Sequence, residues 1–290
     1  MPEGDTVWLA ARRLHEALAG RVLLASDFRV PQLATTDLAG STVTGVEARG
    51  KHLLTRFAGG PGGEVTLHTH FRMDGSWHLY PDGRRWGGGP DWQVRVVLRV
   101  EGTAAVGYRL PVVELLPTDR EHDVVGHLGP DVLGPGWDPT AATVNLLAAP
   151  EREVGDALLD QRVLAGVGNL YRAETCFVAG VTPFTPVGDL PHHGSSAAQV
   201  VAVAARLLHA NRGRWQQSTT GDLRRGRDHW VFEQRRCLRC GTPVLTAATG
   251  DAGRERVAYW CPRCQRGPAP DPVPLSVLLP PTRGRTRYRP

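Results

Sequence analysis

Apolar residues recur at helical spacing near the start of the chain, where Val7, Ala11, Leu14 and Leu18 fall on one face. They predict a helix from Thr6 to Ala19, with Asp5 as its cap and Gly20 as its stop. The period then shortens to about two. Val43–Val46, His52–Phe57, Glu64–Phe71, Gly75–Tyr80, Gln93–Val100 and Ala104–Glu114 read as strands, parted by turns such as Gly59-Gly-Pro-Gly-Gly63. Such a series closes into a β-sandwich or barrel. Residues 129–139 carry enough Gly and Pro for a linker. Beyond them the stripes are helical again, over Val144–Ala149, Val154–Asp160, Leu170–Ala179 and Ser196–Ala210, the last capped by Ser195. Gly166-Val-Gly-Asn169 interrupts them and opens the helix that begins at Leu170; it reads equally as a plain turn or as a phosphate-accepting helix start.

The cysteines add a metal centre. Cys237-Leu-Arg-Cys240 and Cys261-Pro-Arg-Cys264 are two CxxC pairs at the distance of a zinc ribbon, with Val257–Trp260 as the strand that delivers the second. One structural zinc ion held by four thiolates is expected. A redox dithiol accounts for one pair but not for a second at this spacing. Cys176 stands alone in an apolar run and reads as packing. The expected architecture is therefore α+β and multidomain: a β-sandwich with a leading helix over 1–128, a helical domain over 129–230, a zinc ribbon over 231–266 and a basic Pro/Arg-rich tail over 267–290.

Charge narrows the partner. The formal net charge is +5 and the pI about 9.2, a modest bias toward polyanions. The arginines are concentrated: Arg212, Arg214, Arg224, Arg225, Arg227, Arg235, Arg236 and Arg239 lead into the first cysteine pair, and Arg254, Arg256, Arg263 and Arg266 surround the second. Interleaved with Trp215, Trp230, Tyr259 and Trp260, they favour phosphate binding over a merely solvated face. No apolar run has membrane-spanning length, and a cytoplasmic monomer that binds a polyanion is expected.

The start of the chain carries the candidate chemistry. Removal of Met1 would free the nitrogen of Pro2, an α-amino group whose ordinary pKa of about 7.7–8 leaves part of it unprotonated at neutral pH. This secondary amine can form an iminium with an aldehyde-like carbon, and Glu3 beside it can give or take a proton. Alone, Met1-Pro-Glu reads as an ordinary solvated start; the far end of the chain reverses that.

Taken together, the Pro-Glu-Gly start, the β-rich first region, the helical region with Gly-x-Gly-Asn and the four-cysteine ending resemble the formamidopyrimidine-DNA glycosylase and endonuclease VIII family. Arg49-Gly-Lys51-His-Leu-Leu is similar to its turn bearing an essential lysine, and residues 156–171 are similar to its helix-two-turn-helix. The resemblance implies that Pro2 attacks C1′ of a damaged nucleotide, forms a Schiff base and expels the base, with Glu3 handling the proton at the sugar oxygen. It implies that Lys51, Asn169 and Arg256 grip backbone phosphates, that Lys51 acts close to the chemistry, and that strand scission follows by β- and δ-elimination. The nucleotide must leave the stack, and Met73 matches a wedge residue; a methionine filling the core is the competing reading. The start and the Arg256–Gln265 ending look more like endonuclease VIII, which implies mainly oxidised pyrimidines as substrates.

This chain departs from the pattern at several points. Thr6 stands where a glutamate is common, Asp5 replaces a frequent proline, and no Arg-x-Phe wedge pair is evident near Tyr108-Arg-Leu-Pro111. The expectation is thus a bifunctional DNA glycosylase and AP lyase of base excision repair, with damaged DNA as partner. Its rivals are the same mechanism on 8-oxoguanine and formamidopyrimidine lesions, and a non-catalytic zinc-ribbon DNA-binding protein.

Overall fold

The computed structural model describes residues 2–60, 63–250 and 255–278. Two compact units divide the chain. The first comprises Met1–Asp138 with Leu164–Gly166 and Asn211–Trp215; the second comprises the remainder.

In the first unit, α1 (Gly4–Leu18) buries the predicted stripe of Val7, Ala11, Leu14 and Leu18. The helix begins two residues earlier than expected, and Asp5 lies inside it rather than capping it. Glu3 takes the cap position with extended backbone, and the Gly4 amide is satisfied by the Gly166 carbonyl, so no side-chain cap is required at that amide.

Among the described residues eight strands follow: β1 (Ala25–Phe28), β2 (Thr42–Arg49), β3 (His52–Gly60), β4 (Gly63–His70), β5 (Ser76–Pro81), β6 (Val94–Val100), β7 (Thr103–Tyr108) and β8 (Val112–Pro117). They form two antiparallel sheets, ordered β2-β3-β4-β8 and β1-β6-β7-β5. Leu53, Phe57 and Leu67 of one sheet and Val96, Leu98 and Ala105 of the other join the α1 stripe in one core, the predicted sandwich. Two readings change. Ala104–Glu114 is two strands in different sheets, because Arg109 adopts φ +49° and Pro111 has no amide to donate. The strand β1 has no clear alternation and was not anticipated. A short helix α2 (His122–Val125) follows β8.

The 129–139 segment is not a free linker. Asp131, 5% exposed, accepts from the amides of Gly50 and Leu133, and Val132 donates to Ala165.

The second unit contains α3 (Pro139–Leu147), α4 (Val154–Leu159), α5 (Asn169–Ala179), most of α6 (Ala197–Asn211), the hairpin β9 (Leu245–Thr249) with β10 (Arg256–Trp260), and α7 (Leu275–Leu278). The predicted helices are present, three of them within a residue of their expected bounds; α3 starts five residues before the expected Val144, at Pro139. The α6 cap contact comes from Ser196, whose Oγ accepts from the Gln199 amide, one residue beyond the expected Ser195. Cys176 is fully buried in α5, and burial pushes its thiol up to about 12, which suits packing rather than reactivity. Among the described residues no helix is long and apolar enough to cross a membrane. Arg254 and the tail residues 279–290 lie outside the described residues.

Candidate active site and metal centre

Pro2 is half-buried at the entrance to α1, and Glu3 behind it is only 1% exposed. Their backbone is pinned on one side by the helix, through the Val7 amide to the Glu3 carbonyl at 3.1 Å. On the other side the Gly4 amide meets the Gly166 carbonyl at 2.9 Å. A Cβ at Gly4 would fall 2.8 Å from the Gly166 Cα, so only glycine permits this approach.

Lys51 sits on the turn between β2 and β3, after Gly50 at φ +59°. A Cβ on Gly50 would lie 3.0 Å from that of Ala165. The segment 164–166 therefore braces both the Pro2-Glu3-Gly4 start and the Arg49-Gly50-Lys51 turn. Asp131 holds the same turn: its Oδ2 accepts from the Gly50 amide at 2.8 Å and lies 3.8 Å from Arg49 Nη1. Burial raises the Asp131 pKa, against the pull of the Gly50 and Leu133 amides. Arg49 also donates to the Gly129 carbonyl at 3.2 Å. Asp131 was missed in the sequence because it stands in an apparent linker, Gly-Pro-Asp, with no periodic pattern around it.

Met73 projects from the turn between β4 and β5 and is 49% exposed, so it is not a core-filling methionine. In the second unit, Asn169 begins α5. Its amide donates to the Val257 carbonyl at 3.1 Å and its Oδ1 accepts from Arg172, which also reaches Val257. This brings Asn169 to the start of the strand β10, where Arg256 is exposed. Arg172 is fully buried and Glu174 likewise, the latter accepting from the amides of Trp230, Val231 and Phe232 and from the Thr219 hydroxyl. Both were passed over in the sequence, although two charges inside the apolar stripe of residues 170–179 are a signal of buried pairing.

Cys237, Cys240, Cys261 and Cys264 converge, with all four sulfurs within 4.8 Å of one another. The Cys237–Cys264 and Cys240–Cys261 sulfurs are 3.9 and 3.5 Å apart. Tetrahedral zinc with bonds of about 2.3 Å requires sulfur edges of about 3.8 Å, so the cluster is compatible with zinc. The arginines around it are less uniformly available than their density implied. Arg224 and Arg227 both pair with Asp222, and Arg239 lies over the Trp230 ring.

The sandwich with its proline-led helix, the glycine-braced lysine turn, the two-turn break between α4 and α5 and the four-cysteine hairpin define a class of DNA repair protein. The family models for the formamidopyrimidine-DNA glycosylase N-terminal domain and H2TH domain match residues 1–109 and 128–212. The chain belongs to the formamidopyrimidine-DNA glycosylase family. It is 56% identical to a probable endonuclease 8 2 of Streptomyces coelicolor, over 100% of this chain and 99% of the relative. It is 45% identical to a DNA-(apurinic or apyrimidinic site) lyase Nei2 of Mycolicibacterium smegmatis, over 91% of this chain and 99% of that one. Among solved structures, MutM in complex with carbocyclic 8-oxo-G containing DNA superposes with a TM-score of 0.74 at 21% identity, covering 92% of this chain and 100% of that chain, a likeness of fold.

Proposed function

We propose that the chain is a bifunctional DNA glycosylase and AP lyase of base excision repair, with the nitrogen of Pro2 as nucleophile. The observation that carries the reading is the placement of the Pro2-Glu3 start: it is fixed by backbone contacts and braced by the same loop as the only lysine in the sequence. Pro2 nitrogen bonds to C1′ as the base departs with the glycosidic electron pair and the proton released from the amine, and Glu3 supplies the proton that lets the sugar ring oxygen open. The resulting iminium acidifies C2′. Loss of that proton expels the 3′-phosphate, and a second elimination expels the 5′-phosphate. Near-complete burial of Glu3 keeps bulk water from this proton transfer.

Positioning falls to residues already held by the fold. Lys51 contacts the phosphate nearest the sugar. Asn169, with an amide N–H beyond the one given to Val257, and the exposed Arg256 grip further phosphates. The exposure of Met73 supports its entering the stack as the nucleotide leaves. A zinc ion held by Cys237, Cys240, Cys261 and Cys264 is structural, since four protein ligands leave no open position for water. Oxidised pyrimidines are the favoured substrates, on the endonuclease VIII-like start and ending of the chain. The domain assignment follows: a catalytic sandwich over 1–128, helical and zinc-ribbon DNA-binding domains over 129–230 and 231–266, and the basic tail.

Borohydride trapping tests this. An abasic site or an oxidised pyrimidine in DNA should yield a reduced protein–DNA adduct that maps to Pro2. Retention of Met1 or an uncleaved tag, which turns the amine into an amide, should abolish it. An adduct on Lys51 would overturn the assignment, and no adduct with bound DNA would leave the zinc-ribbon binding protein. A panel of single-lesion oligonucleotides decides between pyrimidine and purine substrates.

A further inference from the structure

On the outward face of the β2-β3-β4-β8 sheet, four imidazoles gather beside Lys51. His52 and His70 are cross-strand partners, and His68 is paired with Glu114 of β8. His52 Nδ1 lies 2.8 Å from His68 Nε2, and His68 Nδ1 lies 3.0 Å from Glu114 Oε2. The His52 ring stacks on His68 at 5.0 Å between centroids and meets His70 and His127 edge-on at 4.9 and 6.2 Å.

This line has a direction. An ionised carboxylate only accepts, so Glu114 fixes the His68 proton on Nδ1. His68 can then accept at Nε2 from His52 Nδ1–H, with His52 Nε2 left to accept. The far end differs from the rest of the same face, where Arg56 is closed off by ion pairs to Glu47 and Glu121 at 2.8 and 2.7 Å. The charged and titratable groups facing the His52–His70 corner are Lys51 from the β2–β3 turn, His68 of β4, Arg72 of the β4–β5 turn and His127 beyond α2. All four are cationic or able to become so, and the Glu114 carboxylate stands at the other end of the line. With burial, this crowding pushes His52 down to about 3 and His70 down to about 4, so both are neutral in the protein alone.

We propose that Glu114, His68 and His52 form a proton-accepting line behind the Lys51–His70 corner, and that a DNA phosphate docking at that corner draws a proton into it. This rests on the reading of Lys51 as a phosphate grip. A proton taken up from solvent at His52 Nε2 allows the His52 Nδ1 proton to pass to His68 Nε2. The positive charge then rests on His68 against the Glu114 carboxylate, while His52 regains a neutral ring. No atom is lost and no redox partner is required. The phosphate gains a cationic backing at His68, held by Glu114, so His68 and Glu114 are positioning residues that act through His52.

The full-length protein and a duplex bearing a tetrahydrofuran abasic analogue, which cannot form a Schiff base, separate binding from reaction. Affinity is read by fluorescence anisotropy between about pH 5.5 and 8.5 at fixed ionic strength, and proton uptake by calorimetry in two buffers of different ionisation heat. The wild type should take up protons on binding and tighten as pH falls, by up to about tenfold per pH unit for one proton. His68→Gln keeps a partner for His52 but has no proton to relay, and Glu114→Gln keeps an acceptor but loses the charge. Both should lower the uptake and flatten the pH dependence while keeping Kd at high pH within about twofold of wild type. A free α-amino group ordinarily titrates in the same range, so the assignment rests on the difference between wild type and variants. Absence of uptake in the wild type, or wild-type pH dependence in both variants, overturns the proposal. A Lys51→Ala variant that binds as tightly as wild type at every pH instead overturns the phosphate-grip reading beneath it.

Discussion

Gly4 and Gly166 meet backbone to backbone, with an amide-to-carbonyl distance of 2.9 Å and no space for a side chain on Gly4. The contact sets where the chain enters α1, two residues after Pro2. It also explains why a glycine follows Pro2-Glu3, a position where a helix start does not otherwise require one.

Gly4→Ala should therefore lower stability by about 1–3 kcal/mol through the clash with Gly166. It should slow adduct formation at Pro2 by about tenfold or more, because a small displacement of the nucleophile is costly in rate. Denaturant unfolding and single-turnover trapping measure the two effects. Trapping at the wild-type rate would show that this contact does not aim Pro2.

Asp131→Ala removes the acceptor of two buried amides, Gly50 and Leu133. A cost of about 1–3 kcal/mol in stability is expected. The Lys51 turn should loosen with it, weakening binding to abasic-analogue DNA although Asp131 itself is 5% exposed. Unaltered affinity in a folded variant would detach Asp131 from the turn's function.

Arg256→Ala should weaken binding to all DNA sequences alike. Removing one phosphate contact should reduce the slope of log K against log salt by ~0.9. Titrations at several salt concentrations check this. An unchanged slope with altered lesion preference would mean that Arg256 reads a base.

Cys261→Ser should release zinc and disorder the β9–β10 hairpin, since Cys261 is fully buried and lies 3.5 Å from the Cys240 sulfur. DNA affinity should fall while the sandwich keeps its cooperative unfolding. Elemental analysis, anisotropy and thermal unfolding are the measurements, and full affinity in a zinc-free variant would exclude the hairpin from DNA binding.

Acid should destabilise the free protein through the histidine corner. His52 and His70 have folded pKa values of about 3 and about 4, below the ordinary 6.5, so the unfolded chain binds more protons between those values. Their contribution is present above pH 6.5 and is lost as pH falls toward 4 and 3. His52→Gln should shallow the fall in the urea midpoint across that window; an unchanged profile would assign the acid sensitivity elsewhere.

Much of this was written locally in the chain. The α1 stripe, the strand series of the sandwich, the helices around Gly166-Val-Gly-Asn169 and the paired CxxC sequences depend on short-range periodicity, turn chemistry and ligand spacing, which a sequence displays directly. Pro2, Glu3 and the four cysteines stand out for the same reason, each by a distinctive chemistry or spacing, whereas Lys51 is legible only through the family resemblance of its turn. Tertiary structure decided what depends on residues far apart. Asp131 belongs to the Lys51 turn across 81 positions, and the bracing of Gly4 and Gly50 by residues 165 and 166 appears only when the backbones touch. The division of Ala104–Glu114 between two sheets turned on the backbone at Arg109, whose left-handed conformation no local preference announces. The histidine line exists because antiparallel pairing sets β3, β4 and β8 side by side, and hydrogen bonding across strands has no signature along any one of them.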